Sequence, residues 1–419
     1  MLLSREEDKS KEKVLLIGLI RNKNEKWQKV DSLEELSALT KTAGGEVVEK
    51  IIQFKKNPDP STLIGVGKVE EVRRICTDLK INLVIFDILL SPVQRRNLQN
   101  KLKRRVIDRR ALILDIFALH AKTGEAKVQV ELAQLEYNFS QLTGMGDEMS
   151  RLGGGIGTRG PGEKKLEIDR RQIKKRISFL KRRLKKIEKQ RKTQRKNRGN
   201  LFKISLAGYT NAGKSTLLNR LCHSDIVVSQ SLFSTLDSFT REFYIKKGIK
   251  ILITDTVGFI KNLPPELVAS FRSTLSVIKK SDMILHIIDI EKENIENTIK
   301  TVDHILKELE CSLDNTLYVF NKIDKVVSPY MVERIKRKYS SSVFISAKTG
   351  EGIQTLKDKI WGIAQKRLKS ITLKIPESYS FLIHEYANKI YIKKEGKDTY
   401  LLTGYPSPLF SFIKKLPYL

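Results

Sequence analysis

The chain has 419 residues and is 40% hydrophobic, enough apolar material for about two to four packed domains. Its 79 Lys and Arg against 48 Asp and Glu give a formal net charge of +31 and an isoelectric point near 9.9, more than solubility requires, so a polyanionic partner is the leading expectation. Cys76, Cys222 and Cys311 are far apart and unpaired in pattern, which argues against a disulfide framework or a zinc site, and the five histidines lack metal-ligand spacing. The N-terminus has no apolar signal core and no run reaches about 18 apolar residues, so a cytoplasmic protein without stable membrane insertion is expected. Its basic charge leaves peripheral contact with an anionic membrane open.

In chain order, residues 14–20 and 83–87 read as buried strands separated by helical patterns such as Leu33 to Leu39, so residues 1–108 are expected to form an α/β domain. Within it Leu63-Ile-Gly-Val-Gly-Lys68 superficially resembles a phosphate loop. It lacks the four-residue spacer and the Ser or Thr that a metal needs, and a tight turn before a helix is the better reading.

Residues 109–199 are expected to form an antiparallel helical hairpin. Apolar residues at Leu112, Ile116, Leu119, Leu132, Leu135, Phe139 and Leu142, then at Ile173, Ile177, Leu180, Leu184 and Ile187, give two matching seams. The tip between them, Leu152-Gly-Gly-Gly-Ile-Gly-Thr-Arg-Gly-Pro-Gly-Glu163, holds six glycines and a proline and cannot continue a helix. With Arg151 and Arg159 it reads as a backbone-rich contact loop, a bland linker being the alternative. Residues 164–198 carry 18 Lys or Arg and only three acids, Glu167, Asp169 and Glu188, which points to salt-sensitive binding of phosphates.

Residues 200–368 are expected to form a nucleotide-binding domain. A strand from Phe202 leads into Gly208-Tyr-Thr-Asn-Ala-Gly-Lys-Ser215 and then a helix from Thr216, a complete Walker A motif. Gly208, Ala212, Gly213 and Thr216 belong to the loop that cradles phosphates, Lys214 reaches the β- and γ-phosphates, and Ser215 is a magnesium ligand. Asn321-Lys-Ile-Asp324 selects guanine: Asp324 accepts from N1 and the exocyclic amine, Asn321 faces the N7 and O6 edge, and Lys322 packs over the ring. Ser346-Ala347-Lys348 then supplies a backbone amide for O6. In Asp255-Thr-Val-Gly258, Asp255 holds magnesium through water and the Gly258 amide senses the γ-phosphate. Thr235 is the candidate switch threonine on the metal, with Thr240 as competitor. Phe259 stands where many GTPases place a water-orienting glutamine, so hydrolysis is expected to be slow alone and completed by a partner or another loop. Asn211 is expected either to coordinate potassium or to make a structural hydrogen bond. Residues 369–419 end in short alternating runs and read as a small strand-bearing α+β domain.

The phosphate loop, Phe233-Ser-Thr-Leu-Asp237, Asp255 to Ile260, the glycine-rich element and Ser91-Pro-Val-Gln-Arg-Arg-Asn-Leu98 together resemble the HflX family of Obg-related translation GTPases, over about residues 14–368. The resemblance implies an N-terminal α/β and hairpin unit, a G domain using GTP, GDP and Mg2+, and binding to the large ribosomal subunit and its rRNA through the hairpin. It further implies that the glycine tip approaches the peptidyl-transferase centre and that stalled ribosomes are split under stress. The sequence departs from the family in Lys164-Lys-Leu-Glu, where Thr-Gln-Leu-Glu is usual, and in Ser238-Phe-Thr, where Pro-Thr-Thr is usual. Two other functions stay open: an RNA-remodelling ATPase centred on Gly65 to Lys68, and an RNA-binding assembly factor with nucleotide as regulator. A monomer is expected.

Overall fold

The computed structural model describes residues 11–152, 161–196, 201–222, 239–246, 249–260, 267, 270–292, 294–326, 329–367, 371–376, 391–394 and 399–404. So far as described, the chain divides into two compact units: residues 1–187 together with 261–272, and residues 188–230, 237–260 and 273–419.

The first unit is built on four parallel strands, β1 (Lys13–Ile20), β2 (Glu46–Phe54), β3 (Leu83–Phe86) and β4 (Arg105–Asp108), in the order β2-β1-β3-β4. Every residue of β3, and all but the first of β1, is buried, as expected of parallel strands covered on both faces. Helices α1 (Lys26–Thr42) and α4 (Arg109–His120) pack beside each other, as do α2 (Val66–Asp78) and α3 (Pro92–Leu102), the two-faced arrangement that right-handed crossovers produce. Ser91 caps α3 in a reciprocal box: its hydroxyl accepts from the Gln94 amide at 3.2 Å and the Gln94 side chain accepts from the Ser91 amide at 3.1 Å. The Gln94 side-chain Nε2 also donates to the Asp59 carbonyl at 3.2 Å. That carbonyl belongs to a tight turn, bridged from Asp59 to Leu63, before α2. Lys68 lies within α2 and pairs with Glu71 at 2.7 Å, so this stretch is a turn feeding a helix.

Helix α4 starts at Arg109, the expected 108/109 boundary, but its first residue is tied to the sheet domain. Arg109 is buried and ion-pairs with Asp87 at 2.9 Å and with Glu35 of α1, while Lys29 reaches the other Asp87 oxygen at 3.1 Å. Losing one member of such a buried set leaves an uncompensated charge, typically at a cost of about 3–5 kcal/mol. Residues 109–120 therefore complete the sheet domain, and the arm begins afresh at Gly124. Its two helices are α5 (Gly124–Leu152) and α6 (Pro161–Lys196). Val128, Leu132 and Leu180 bury together, flanked by Leu135, Ile177 and Leu184, so positions rise on one helix as they fall on the other. The Arg170 bond to the Leu142 carbonyl at 2.8 Å agrees with that sense, and the ion pairs Arg176–Glu131 at 2.7 Å and Lys181–Glu136 at 2.9 Å also cross between the helices. The glycine-rich tip at 153–160 lies outside the described residues. Also in this unit, Phe271 packs edge-on against Phe117 of α4, ring centroids 5.3 Å apart.

The second unit holds a six-stranded sheet, β10-β9-β8-β5-β7-β6, formed by β5 (Phe202–Gly208), β6 (Phe239–Lys246), β7 (Ile249–Asp255), β8 (Met283–Asp289), β9 (Thr316–Asn321) and β10 (Val343–Phe344). All pairs are parallel except β6 with β7. The central strand β5 lies between β7 and β8, so its carboxyl end opens at the crevice where doubly wound sheets hold ligands. Strands β11 (Ile371–Pro376), β12 (Tyr391–Lys394) and β13 (Thr399–Gly404) form a separate antiparallel sheet in the order β11-β13-β12. Among the described residues no helix is long and apolar enough to cross a membrane.

Candidate nucleotide site

Between β5 and helix α7 (Lys214–Cys222) the backbone must turn sharply. Asn211 at φ +61° and Gly213 at φ +91° adopt left-handed geometry to do so. Gly213 has a second constraint: a Cβ there would collide with the side-chain amide of Asn321. That amide donates to the Ala212 carbonyl at 2.8 Å, and its oxygen accepts from the Ala347 amide at 2.9 Å. Buried Asn321 thus braces the phosphate loop against the Ser346–Lys348 loop. The second N–H of that amide is left for the base edge that Asn321 is expected to face.

Lys214 is buried, and its ammonium donates to the carbonyls of Gly208 at 3.1 Å and Tyr209 at 2.8 Å. Burial pushes its pKa down to about 8, opposed by the Asp255 carboxylate. The Ser215 hydroxyl donates to Asp255 Oδ2 at 2.6 Å, so a hydroxyl and a carboxylate oxygen converge beside the loop, a donor set that suits magnesium. Thr216 follows in the first turn of α7, half-buried.

Asp255 closes β7, and Thr256 is fixed by donating to the Leu206 carbonyl at 2.6 Å. A Cβ on Gly258 would stand 2.8 Å from Thr210 Cγ2 and 3.0 Å from Lys214 Nζ, so glycine is what lets this peptide lie against the phosphate loop. The Phe259 amide donates to the Gly208 carbonyl at 3.0 Å and the Thr210 amide to the Phe259 carbonyl at 2.8 Å. Phe259 is 1% exposed, packed away from solvent.

At the other end, Lys322 sits at φ +69° with its ammonium held by Asp289 at 2.6 Å, and Asp324 is exposed in the turn Ile323–Lys325. Buried Ser346 accepts from the Thr349 amide at 3.1 Å, while Lys348 is exposed. Arg220 of α7 holds this loop by donating to the carbonyls of Ala347, at 3.2 Å, and Lys348. Sequence reading missed it, since nothing marks an arginine six residues past the Walker lysine except its helical neighbours. Thr235 lies outside the described residues. Its competitor Thr240 is on β6, bonded hydroxyl to hydroxyl with Thr254 of β7 at 2.9 Å, a sheet role.

Three family profiles match in succession: GTP-binding GTPase N-terminal over residues 30–118, GTP-binding GTPase Middle Region over 120–198, and 50S ribosome-binding GTPase over 203–322. The GTPase HflX of Lacrimispora saccharolytica is 40% identical over 409 residues, spanning 96% of this chain and 95% of that protein. The chain belongs to the HflX family of GTPases. HflX proteins of Flavobacterium psychrophilum and Escherichia coli K12 are 39% and 37% identical, covering 84% and 87% of this chain and 90% and 87% of their own. A GTP-binding protein from Sulfolobus solfataricus solved with GDP is 28% identical and covers 84% of this chain and 99% of its own, at a TM-score of 0.43. The HflX resemblance read from the glycine-rich element and the G-domain motifs is thus shown over most of the chain.

Proposed function

We propose that this HflX-family GTPase binds the large ribosomal subunit in its GTP state and releases it after hydrolysis, separating stalled ribosomes into subunits in the cytoplasm. The observation that carries the proposal is the basic arm: α6, with 17 Lys or Arg in residues 164–196, is stiffened by its seam with α5 and shares one chain with the nucleotide site. Such a helix is a phosphate-binding surface, and rRNA is the polyanion that a 50S ribosome-binding GTPase would meet. We divide the chain into the sheet domain 1–120, the arm 121–199, the G domain 200–368 and the small domain 369–419.

In the site, the loop through Gly208, Ala212, Gly213 and Thr216 would wrap the phosphates, with Lys214 neutralising the β- and γ-oxygens. Ser215, Asp255 through water, and Thr235 would hold Mg2+, which when bound shields the charge that builds up between the β- and γ-phosphates. Gly258 would carry the γ-phosphate contact, and Asn211 is the candidate ligand of a potassium ion. Asp324 and an amide of the Ser346–Lys348 loop would read guanine, the stem of Lys322 lying along the ring. With Phe259 packed inward, hydrolysis needs a partner to position water. The ATPase alternative has less support, because Gly65 to Lys68 lacks the four-residue spacer of a phosphate loop and Lys68 pairs with Glu71.

The test is GTP turnover by the full chain alone and with large subunits, while light scattering follows intact ribosomes. Stimulation of about tenfold or more with GTP-dependent loss of scattering is expected. Unstimulated turnover with steady scattering would overturn splitting and favour an assembly factor regulated by nucleotide.

A further inference from the structure

The first unit carries a recess that the GTP site does not use. At the amino edge of the four-stranded sheet, a bowl of about 780 Å³ is lined by Lys80, Lys103, Arg104 and Arg105. Lys80 and Lys103 each take left-handed backbone at φ +53°, directly after α2 and α3. Cations at helix C-termini offset the carbonyl dipole, which accounts for one at each end. Four is more than that role needs, and the one carboxylate lining the bowl, Glu12, is tied to Arg105 at 2.7 Å. The surplus charge faces solvent, since Lys80 and Lys103 are both exposed.

A slot of about 400 Å³ continues from the bowl, sharing Gln99 and Arg105 with it and running between β4, α4 and α5. Val106, Ile107 and Leu114 give it apolar walls, while Asp115 and Gln134 give it a polar end. Burial pushes the Asp115 carboxyl up to about 6, opposed by the guanidinium groups of Arg105 and Arg95, which line the same slot. A half-buried carboxylate in a slot with apolar walls and polar edges, Arg95 and Asn138 among them, suits a flat ring whose edge offers N–H donors.

We propose that this edge holds an unpaired nucleotide of an RNA strand, with backbone phosphates over Lys80, Lys103 and Arg104 and the base in the slot against Asp115 and Gln134. The proposal rests on the ribosome-binding reading and adds to it a contact separate from the arm. Anion-only binding needs the bowl but not the slot. A base-bearing ligand uses both.

The test uses the full chain with short labelled single-stranded RNA of mixed sequence and with abasic RNA of the same length, titrated at several salt concentrations. Base-bearing RNA should bind about tenfold more tightly than abasic RNA. Lys80→Glu with Lys103→Glu should weaken both about tenfold and flatten the plot of log affinity against log salt by about 1.4, from roughly 0.7 per lost single-strand phosphate contact. Asp115→Ala should erase the preference for bases while leaving abasic binding and thermal stability intact. Equal affinity for the two RNAs, an unchanged salt slope in the lysine pair, or displacement by free nucleoside monophosphates at the concentration of the RNA would each overturn the proposal. Sedimentation of the parent with large subunits is scored separately. A parent that fails to sediment, yet loses oligonucleotide binding in the lysine pair, would sink the ribosome reading and support this site.

Discussion

Lys214 illustrates how far a single residue can be read. Its buried ammonium has carbonyl partners and a depressed pKa of about 8 against an ordinary 10.5. The unfolded chain binds the extra proton between those values, so the nucleotide-free protein should gain stability as pH rises from about 8 to 10.5, by about 3 kcal/mol in full. Below pH 8 the lysine is charged in both states and the penalty is constant. Lys214→Met should flatten that slope in denaturant melts at graded pH. Phosphates would restore the charge, so nucleotide binding near pH 8 should take up a proton, seen as calorimetric heats that differ between buffers of different ionisation enthalpy. Equal heats would mean that the phosphates leave Lys214 as they found it. The Walker lysine was legible because its motif is local. The bracing role of Asn321 and the grip of Arg220 on the Ser346–Lys348 loop were not, because both depend on segments more than a hundred residues apart meeting in space.

Among the elements, the α5–α6 pair shows which force holds the arm. Its ion pairs are exposed, Arg176 and Glu131 at 50% and 40%, and pairs of that kind contribute about 0–1 kcal/mol. Leu180 is fully buried between Val128 and Leu132, and truncating such a leucine costs about 2–5 kcal/mol. Leu180→Ala should therefore lower the melting temperature and weaken α5–α6 protection in hydrogen exchange, while Glu131→Ala should do neither. Similar effects from both would mean that charge, not the seam, sets the pairing. The seam was legible from its spacing of threes and fours, as were β1 and β3 from their unbroken apolar runs. Strand β2 was not, because at the edge of the sheet it is mostly half-exposed and its Glu46-Val-Val-Glu-Lys pattern carries no continuous run. Four-residue β4 is too short for a periodicity to declare itself. The join at 120–124 was blurred because α4 and α5 both present apolar residues in helical steps, one set toward the sheet and the other toward α6.

Across the whole molecule, the chain itself links the nucleotide loop to the first unit. Gly258 belongs to the second unit, whereas Phe271, shortly after it, belongs to the first and stacks edge-on with Phe117. An aromatic pair of this geometry contributes about 0.5–1.5 kcal/mol beyond its buried area, holding Phe271 on α4. Phe271→Ala should leave GTP affinity and unstimulated turnover near normal and shrink the difference between GTP and GDP in binding to large subunits. An undiminished difference would show that the anchor plays no part in reading the nucleotide. Helix α6, which begins in one unit and ends in the other, adds a geometric consequence. At 36 residues it is a rod of about 54 Å, so a tilt of about 5° at its base sweeps its far end through about 5 Å. Over such a length a small angular change at one end becomes, at the other, a displacement wider than a hydrogen bond is long.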